Sequence, residues 1–154
     1  MKITSSYKVQ IKQYRHIFDD TVRIYRDAVD FLISVCLENW NEISALDGML
    51  LRKSYVENLI HKTKEHPHPK YEFDAVFYKF PSYLRRDAIA CAIGKVSSHK
   101  SSLSNWEASD MTTRGAEPGI PKAGFEFPCM YKTVMYQRTD EYSCKVKVLS
   151  LIHI

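Results

Sequence analysis

An α+β fold is predicted for this chain, with a helical bundle inserted between the strands of a sheet or small barrel. Three observations lead there. Tyr7, Val9 and Ile11 alternate with Lys8, Gln10 and Lys12 near the start, the period of a half-buried strand. From residue 14 to 107 apolar residues recur at three- and four-residue steps, the period of helices with one buried face. Past a Gly- and Pro-rich stretch, Tyr142, Cys144, Val146 and Val148 alternate with Ser143, Lys145 and Lys147. An isolated first strand is not stable, so it most simply pairs with the late ones. The expected division is residues 1–13 as the first strand, 14–107 as the bundle, 108–124 as a linker and 125–148 as returning strands.

The first helix is expected from about Tyr14 to Ser44. Ile17, Thr21, Ile24, Ala28, Phe31, Val35 and Trp40 mark its apolar stripe, and Asp19, Asp20, Asp27, Asp30, Glu38 and Glu42 crowd its polar side beside Arg23 and Arg26. Ala45 to Gly48 interrupts the pattern. A second helix is predicted from Ser54 to Lys64, with Ser54 as N-cap and Glu57 completing a capping box. Phe73, Val76, Phe77 and Phe80 then suggest a helical turn that docks aromatics under the bundle. A long helix follows over Pro81–Glu107. Pro81 cannot continue a preceding helix and Ser82 is a good cap. Its stripe runs through Leu84, Ala88, Cys91, Ala92, Val96, Leu103 and Trp106. Arg85, Arg86, Lys95 and Lys100 are placed off that stripe, among small serines. Such a face can admit a polyanion, or can simply be solvated. Residues 108–124 hold three of the five glycines and two of the six prolines, and a change of architecture is expected across them. Phe125–Phe127 and Lys132–Gln137 read as strands, Arg138–Glu141 as a turn.

The 154 residues carry a net charge of +4, unevenly spread. Residues 1–15 hold four cations and no acid, whereas residues 16–80 hold 8 basic and 11 acidic residues. A mildly basic chain permits a nucleic-acid partner without demanding one. The four cysteines, Cys36, Cys91, Cys129 and Cys144, form no Cys-x-x-Cys pair, which argues against a zinc ribbon. Cys36 and Cys91 read as small core residues. The N-terminus MKITSSYKV lacks a signal-peptide core and no run reaches the ~20 apolar residues of a membrane span. A cytoplasmic protein is expected.

No catalytic constellation is visible: there is no Gly-rich phosphate loop and no nucleophile elbow. His61, His66 and His68 lie within eight residues, but prolines stiffen the segment and no carboxylate or thiolate stands at ligand spacing, so no metal site is assigned. Ten tyrosines, several beside a basic residue (Tyr7-Lys8, Tyr14-Arg15, Tyr131-Lys132), suit base stacking and also ordinary packing.

The blocks KVQIKQYRHIFDDTVRIYRDAVDFLISVCLENW, YKFPSYLRRDAIACAIGKVSSHKSSLSNWE and PGIPKAGFEFPCMYKTVMYQ resemble the N-terminal part of insertion-sequence transposases of the OrfB/TnpB family, over residues 2 to 148. The resemblance implies a wedge-type β-barrel whose first strand is separated from the rest by an inserted recognition bundle. It also implies a guide RNA and target DNA as partners, with base pairing reading sequence and protein reading backbone shape. The metal-binding carboxylates of such nucleases belong to a RuvC-like domain beyond these residues. No catalytic residue, and no cofactor, is therefore carried over, and divalent metal is expected only in that domain. The expected phosphate contacts are Lys8, Lys12, Arg85, Arg86, Lys95, Lys100, Lys145 and Lys147. A complete small helical protein-interaction module is the alternative. The last six residues, LSLIHI, look like the translation of a transposon-end adaptor sequence, so 149–154 is expected to be an adaptor-derived tail.

Overall fold

Two long apolar stripes become the helices α1 (Ile17–Glu38) and α5 (Ser82–Ala108), which make the most extensive interhelical contact in the molecule. The computed structural model describes residues 16–112, 114–129, 136–141 and 143–149. Ile24, Ala28, Val29, Leu32, Val35 and Cys36 of α1 are buried with Leu84, Ala88, Ile89, Ala92, Ile93 and Val96 of α5. Each fully buried Val, Leu or Ile contributes about 1.5–3 kcal/mol by leaving water. The completely buried Ala28, Ala88 and Ala92 add little area of their own. Their small size lets neighbouring side chains interlock.

The single helix expected over residues 14–44 is broken at Asn39 into α1 and α2 (Trp40–Ala45). The Asn39 amide Nδ2 donates to the Val35 carbonyl at 2.7 Å, and the Asn39 backbone N–H donates to the same carbonyl at 3.2 Å. Asn39 sits at φ −115°, ψ 24°, outside helical geometry. A short polar side chain competing for a backbone carbonyl is a known route to ending a helix.

The next helix starts earlier than its apparent capping box suggests. It is α3, Met49–Ile60, with Gly48 at its N-cap. Gly48 has φ +83°, a left-handed value that favours glycine. Ser54 is therefore an exposed mid-helix residue, and Glu57 is free for a different task. Val56 and Ile60 face the core.

The aromatic segment folds as anticipated. α4 (Phe73–Val76) is one turn long and buries Phe73. Phe73 meets Phe31 edge-on at 5.6 Å between ring centres, Phe80 at 5.6 Å and Phe77 at 4.8 Å. These rings close the bundle beneath α1 and lead into α5. That helix begins at Ser82 without a side-chain cap bond.

The last strand is shorter than the alternation predicts, with Ser143, Lys147 and Val148 outside it. β1 (Tyr136–Arg138) and β2 (Cys144–Val146) form an antiparallel pair with Gln137 opposite Lys145. Thr139 and Ser143 close the turn, where the Thr139 N–H donates to the Ser143 carbonyl at 3.0 Å. Phe125–Phe127 is irregular and not a strand, and its two rings are exposed. The architecture is thus α+β, mostly helical with a two-stranded sheet, and no barrel is seen among the described residues. The expected first strand over residues 1–13, and residues 132–135 of the expected strand Lys132–Gln137, lie outside the described residues. No described helix is long and apolar enough to cross a membrane.

The aromatic cluster sets a stability test. Phe73→Ala should cost about 3 kcal/mol or more, because four rings lose mutual packing. Tyr78→Ala, at a half-exposed ring, should stay within about 0.5 kcal/mol. Urea unfolding followed by far-UV circular dichroism reads both.

Candidate nucleic-acid interface

The eight cations expected to meet phosphate separate into distinct environments. Lys8 and Lys12 lie outside the described residues. Arg85 does not stand on an open basic face: only 6% of it is exposed. Leu84, Arg85, Ala88, Ile89, Ala92, Ile93 and Val96 are all buried, so the packed stripe of α5 is two residues wide and Arg85 lies inside it. A buried guanidinium must be paired to offset its lost hydration. Its Nη2 donates to Glu57 Oε1 at 3.1 Å, and its Nη1 lies 3.9 Å from Asp74 Oδ1. The other Asp74 oxygen is 2.6 Å from His61 Nδ1. Glu57 also receives Arg86, whose Nε is 3.4 Å away and whose side chain is otherwise exposed.

The network also reaches the histidine-rich segment through His61. His61 is engaged by Asp74, and no group of three or more His, Cys, Asp or Glu side chains among the described residues is arranged to hold a metal. It also ties three helices together: α3 through Glu57, α4 through Asp74 and α5 through Arg85.

Lys95 is likewise engaged. Its ammonium donates to the Lys122 carbonyl at 3.1 Å and pairs with Glu126. Those partners belong to the stretch that continues the expected linker. Residues 122–129 form a strap fastened to both long helices. The Ala123 N–H donates to Asp30 Oδ1 at 2.6 Å, and Arg26 Nε donates to the Glu126 carbonyl at 3.0 Å. The Cys129 N–H donates to Asp87 Oδ2 at 3.1 Å. Chain order descends both helices, Asp30 then Arg26 on α1 and Lys95 then Asp87 on α5, so the strap runs antiparallel to each. Charged side chains thereby supply the hydrogen bonds that an irregular backbone lacks. The same Asp87 oxygen accepts the buried Tyr25 hydroxyl at 2.6 Å. Burial, that bond and the Asp87 charge hold the Tyr25 phenol far above its ordinary pKa.

Beside the strap, Asp19, Val22, Arg23, Arg26, Asp27, Asp30, Ala123 and Phe127 line an open cleft of about 570 Å³. Its cations are already engaged. Arg23 pairs with Asp20 at 3.1 Å and Asp27 at 3.9 Å, and the Arg26 guanidinium lies over the Phe127 ring. Three carboxylates against two guanidiniums make this face a poor phosphate site.

Lys100, Lys145 and Lys147 remain available. None has an ion-pair partner among the described residues. Lys100 projects from the outer half of α5, where no residue from Ser97 to Ala108 is buried. These twelve residues of helix extend the packed part by about 18 Å. Between Ser97 and Trp106 the helix has no Asp or Glu and exposes Ser98, Ser101, Ser102, Ser104 and Asn105. The chain folds back at its end, where Trp106 Nε1 donates to the Gly115 carbonyl at 2.8 Å and Arg114 stacks over the Trp106 ring. Lys145 and Lys147 are exposed on and just after β2. Leu149, at the start of the suspected adaptor tail, packs against the core, and its N–H donates to Thr21 Oγ1 at 2.9 Å. Residues 150–154 lie outside the described residues.

The sequence reading missed the anchors Glu57, Asp87, Asp30, Arg26 and Glu126. One signal was present: an acid in the middle of a short helix with no cation at i+4 invites a partner from elsewhere.

Two tests follow from this geometry. Glu57→Gln should cost about 3 kcal/mol by leaving Arg85 buried and unpaired, whereas Arg86→Ala should cost under about 1 kcal/mol. Urea midpoints distinguish them. Burial acts to raise the Glu126 carboxyl, but the Lys95 ammonium and the backbone N–H groups of its own turn outweigh it and hold its pKa below the ordinary value. With the folded pKa depressed, the strap's contribution is complete above the unfolded value of about 4.3 and is lost as pH falls through the folded one. The stability difference between the wild type and Glu126→Gln should therefore shrink on acidification through that window.

The chain is similar to the "Uncharacterized protein aq_aa04" of Aquifex aeolicus (strain VF5), 27% identical over 135 residues, covering 80% of this chain and 76% of that protein. No solved structure matches. A family model matches residues 3–150, nearly the whole chain, and so the protein belongs to the Aq_aa04 family.

Proposed function

We propose that this protein binds nucleic acid, with Lys100 on the outer half of α5 and Lys145 and Lys147 on the hairpin as its phosphate contacts. The observation that carries the reading is the acid-free stretch Ser97–Trp106 of α5, in which no residue is buried and a half-exposed lysine stands among exposed serines and an asparagine. Hydroxyls, amides and ammonium groups are the side chains that hold a phosphate backbone without reading sequence. Lys8, Lys12 and Arg86 complete the proposed set. Arg85 and Lys95 serve it indirectly, by positioning α5 and the strap.

The resemblance to OrfB/TnpB transposases supplies the finer form of the proposal. The helices are then an inserted recognition bundle, and β1 and β2 belong to a wedge-type barrel closed by the first strand. The ligands are a guide RNA and its target DNA, and cleavage belongs to a RuvC-like domain that holds the divalent metal. Residues 2–148 hold nucleic acid and do not cut it.

Fluorescence anisotropy with a labelled single-stranded RNA and a DNA duplex, across a salt series, tests the proposal. Affinity should fall steeply with salt as counterions are released. Lys100→Ala should lower the slope for single strands by about 0.7, and Lys145→Ala with Lys147→Ala by about twice that. No binding at low salt would overturn the reading. It would favour a protein-interaction module instead, with the exposed Met49, Leu50 and Leu51 at the start of α3 as its contact.

A further inference from the structure

We propose that Cys91 and Cys129 form a reversible disulfide that clamps the 122–129 strap onto α5. The inference is independent of nucleic-acid binding. Both cysteines are free, Cys91 half-buried against the core and Cys129 exposed. Their juxtaposition rests on Asp87. The Cys129 N–H donates to the Asp87 carboxylate at 3.1 Å. Cys91 is four residues after Asp87 on the same helix, so it lies one turn away on the same face, about 5–6 Å between Cβ atoms. The strap therefore sets Cys129 down within one helical turn of Cys91. A disulfide needs Cα atoms about 4.4–6.8 Å apart, a separation that a small shift of an irregular strap can supply. The Tyr25 hydroxyl, bonded to the same Asp87 oxygen, forms the third side of this group.

The other two thiols are poorly placed to compete. Cys36 is completely buried on α1, and burial pushes its thiol up to about 12. Cys144 lies on β2, opposite Arg138.

The oxidant is a small-molecule disulfide such as oxidised glutathione. The exposed Cys129 thiolate attacks one glutathione sulfur, forming a mixed disulfide and releasing one glutathione as thiolate. The Cys91 thiolate then attacks the Cys129 sulfur and releases the second. Two thiol protons are lost, one disulfide forms, and the oxidant is reduced to two glutathione thiols. Cys91 faces Glu126, Lys95, Asp87 and Cys129, and Cys129 faces Asp87 with Tyr25 nearby. Burial foremost, with these carboxylates, raises both thiols, so only a small thiolate fraction exists at neutral pH. The exchange should therefore be slow there and faster under alkaline conditions. Once formed, the bond joins the strap to α5 covalently and fixes the route by which the chain leaves the bundle.

The full chain, incubated with oxidised glutathione at alkaline pH and digested with trypsin without reduction, tests this. The expected product links residues 87–95 to residues 123–132. It should be the dominant cross-link under native conditions and persist in Cys144→Ser. It should lose its preference over other pairings in urea, because the fold no longer supplies the local concentration. Stable glutathione adducts on both thiols, a dominant link to Cys144, or an equal distribution of pairings in native and unfolded chains would overturn the proposal.

Discussion

The seam between α1 and α5 is the interaction on which the rest of the molecule depends. It is built from interlocking aliphatic side chains around three completely buried alanines, Ala28, Ala88 and Ala92. The shorter helices and the strap are built onto this pair. Val56 and Ile60 bring α3 against it, and the four phenylalanines close its lower end. The strap lies against it and donates backbone hydrogen bonds to carboxylates on both helices. An apolar seam alone is indifferent to small rotations of the helices. The Arg85 network removes that freedom, because a guanidinium with 6% exposure tolerates few positions relative to Glu57 and Asp74.

That network also changes how the charge of the chain should be understood. A cation count treats each lysine and arginine as available to a partner. Here Arg85 and Lys95 are occupied by internal carboxylates, and Arg86 shares Glu57 with Arg85. The acids of α1 are not merely a solvated face either. Asp30 secures the strap, and Asp20 and Asp27 restrain Arg23. Of the cations expected to meet phosphate, Lys100 on the outer part of α5 and Lys145 and Lys147 on and just after β2 have no ion-pair partner among the described residues.

The segment most misleading in one dimension is the Gly- and Pro-rich stretch. Its composition announces irregular backbone, and irregular it is. Composition does not say whether such a backbone floats or is fastened. Fastening depends on carboxylates and cations drawn from two helices far away in sequence, Asp30 and Arg26 on one and Asp87 and Lys95 on the other.

By itself the sequence determined the elements whose signal is local. The apolar recurrence through Leu84, Ala88, Ala92 and Val96 marks a helix because burial must repeat every three to four residues, and α5 runs within a residue or so of that reading. The aromatic turn at Phe73 and the alternation around Cys144–Val146 were legible for the same reason. Tertiary structure decided what local pattern cannot encode. It chose Gly48 over Ser54 as the start of α3, ended α1 at Asn39, and left Phe125–Phe127 outside any strand. It also turned Arg85 inward: its neighbours in sequence, Leu84 and Arg86, suit a stripe edge equally well, and only the carboxylates of Glu57 and Asp74, brought from other helices, make its burial affordable.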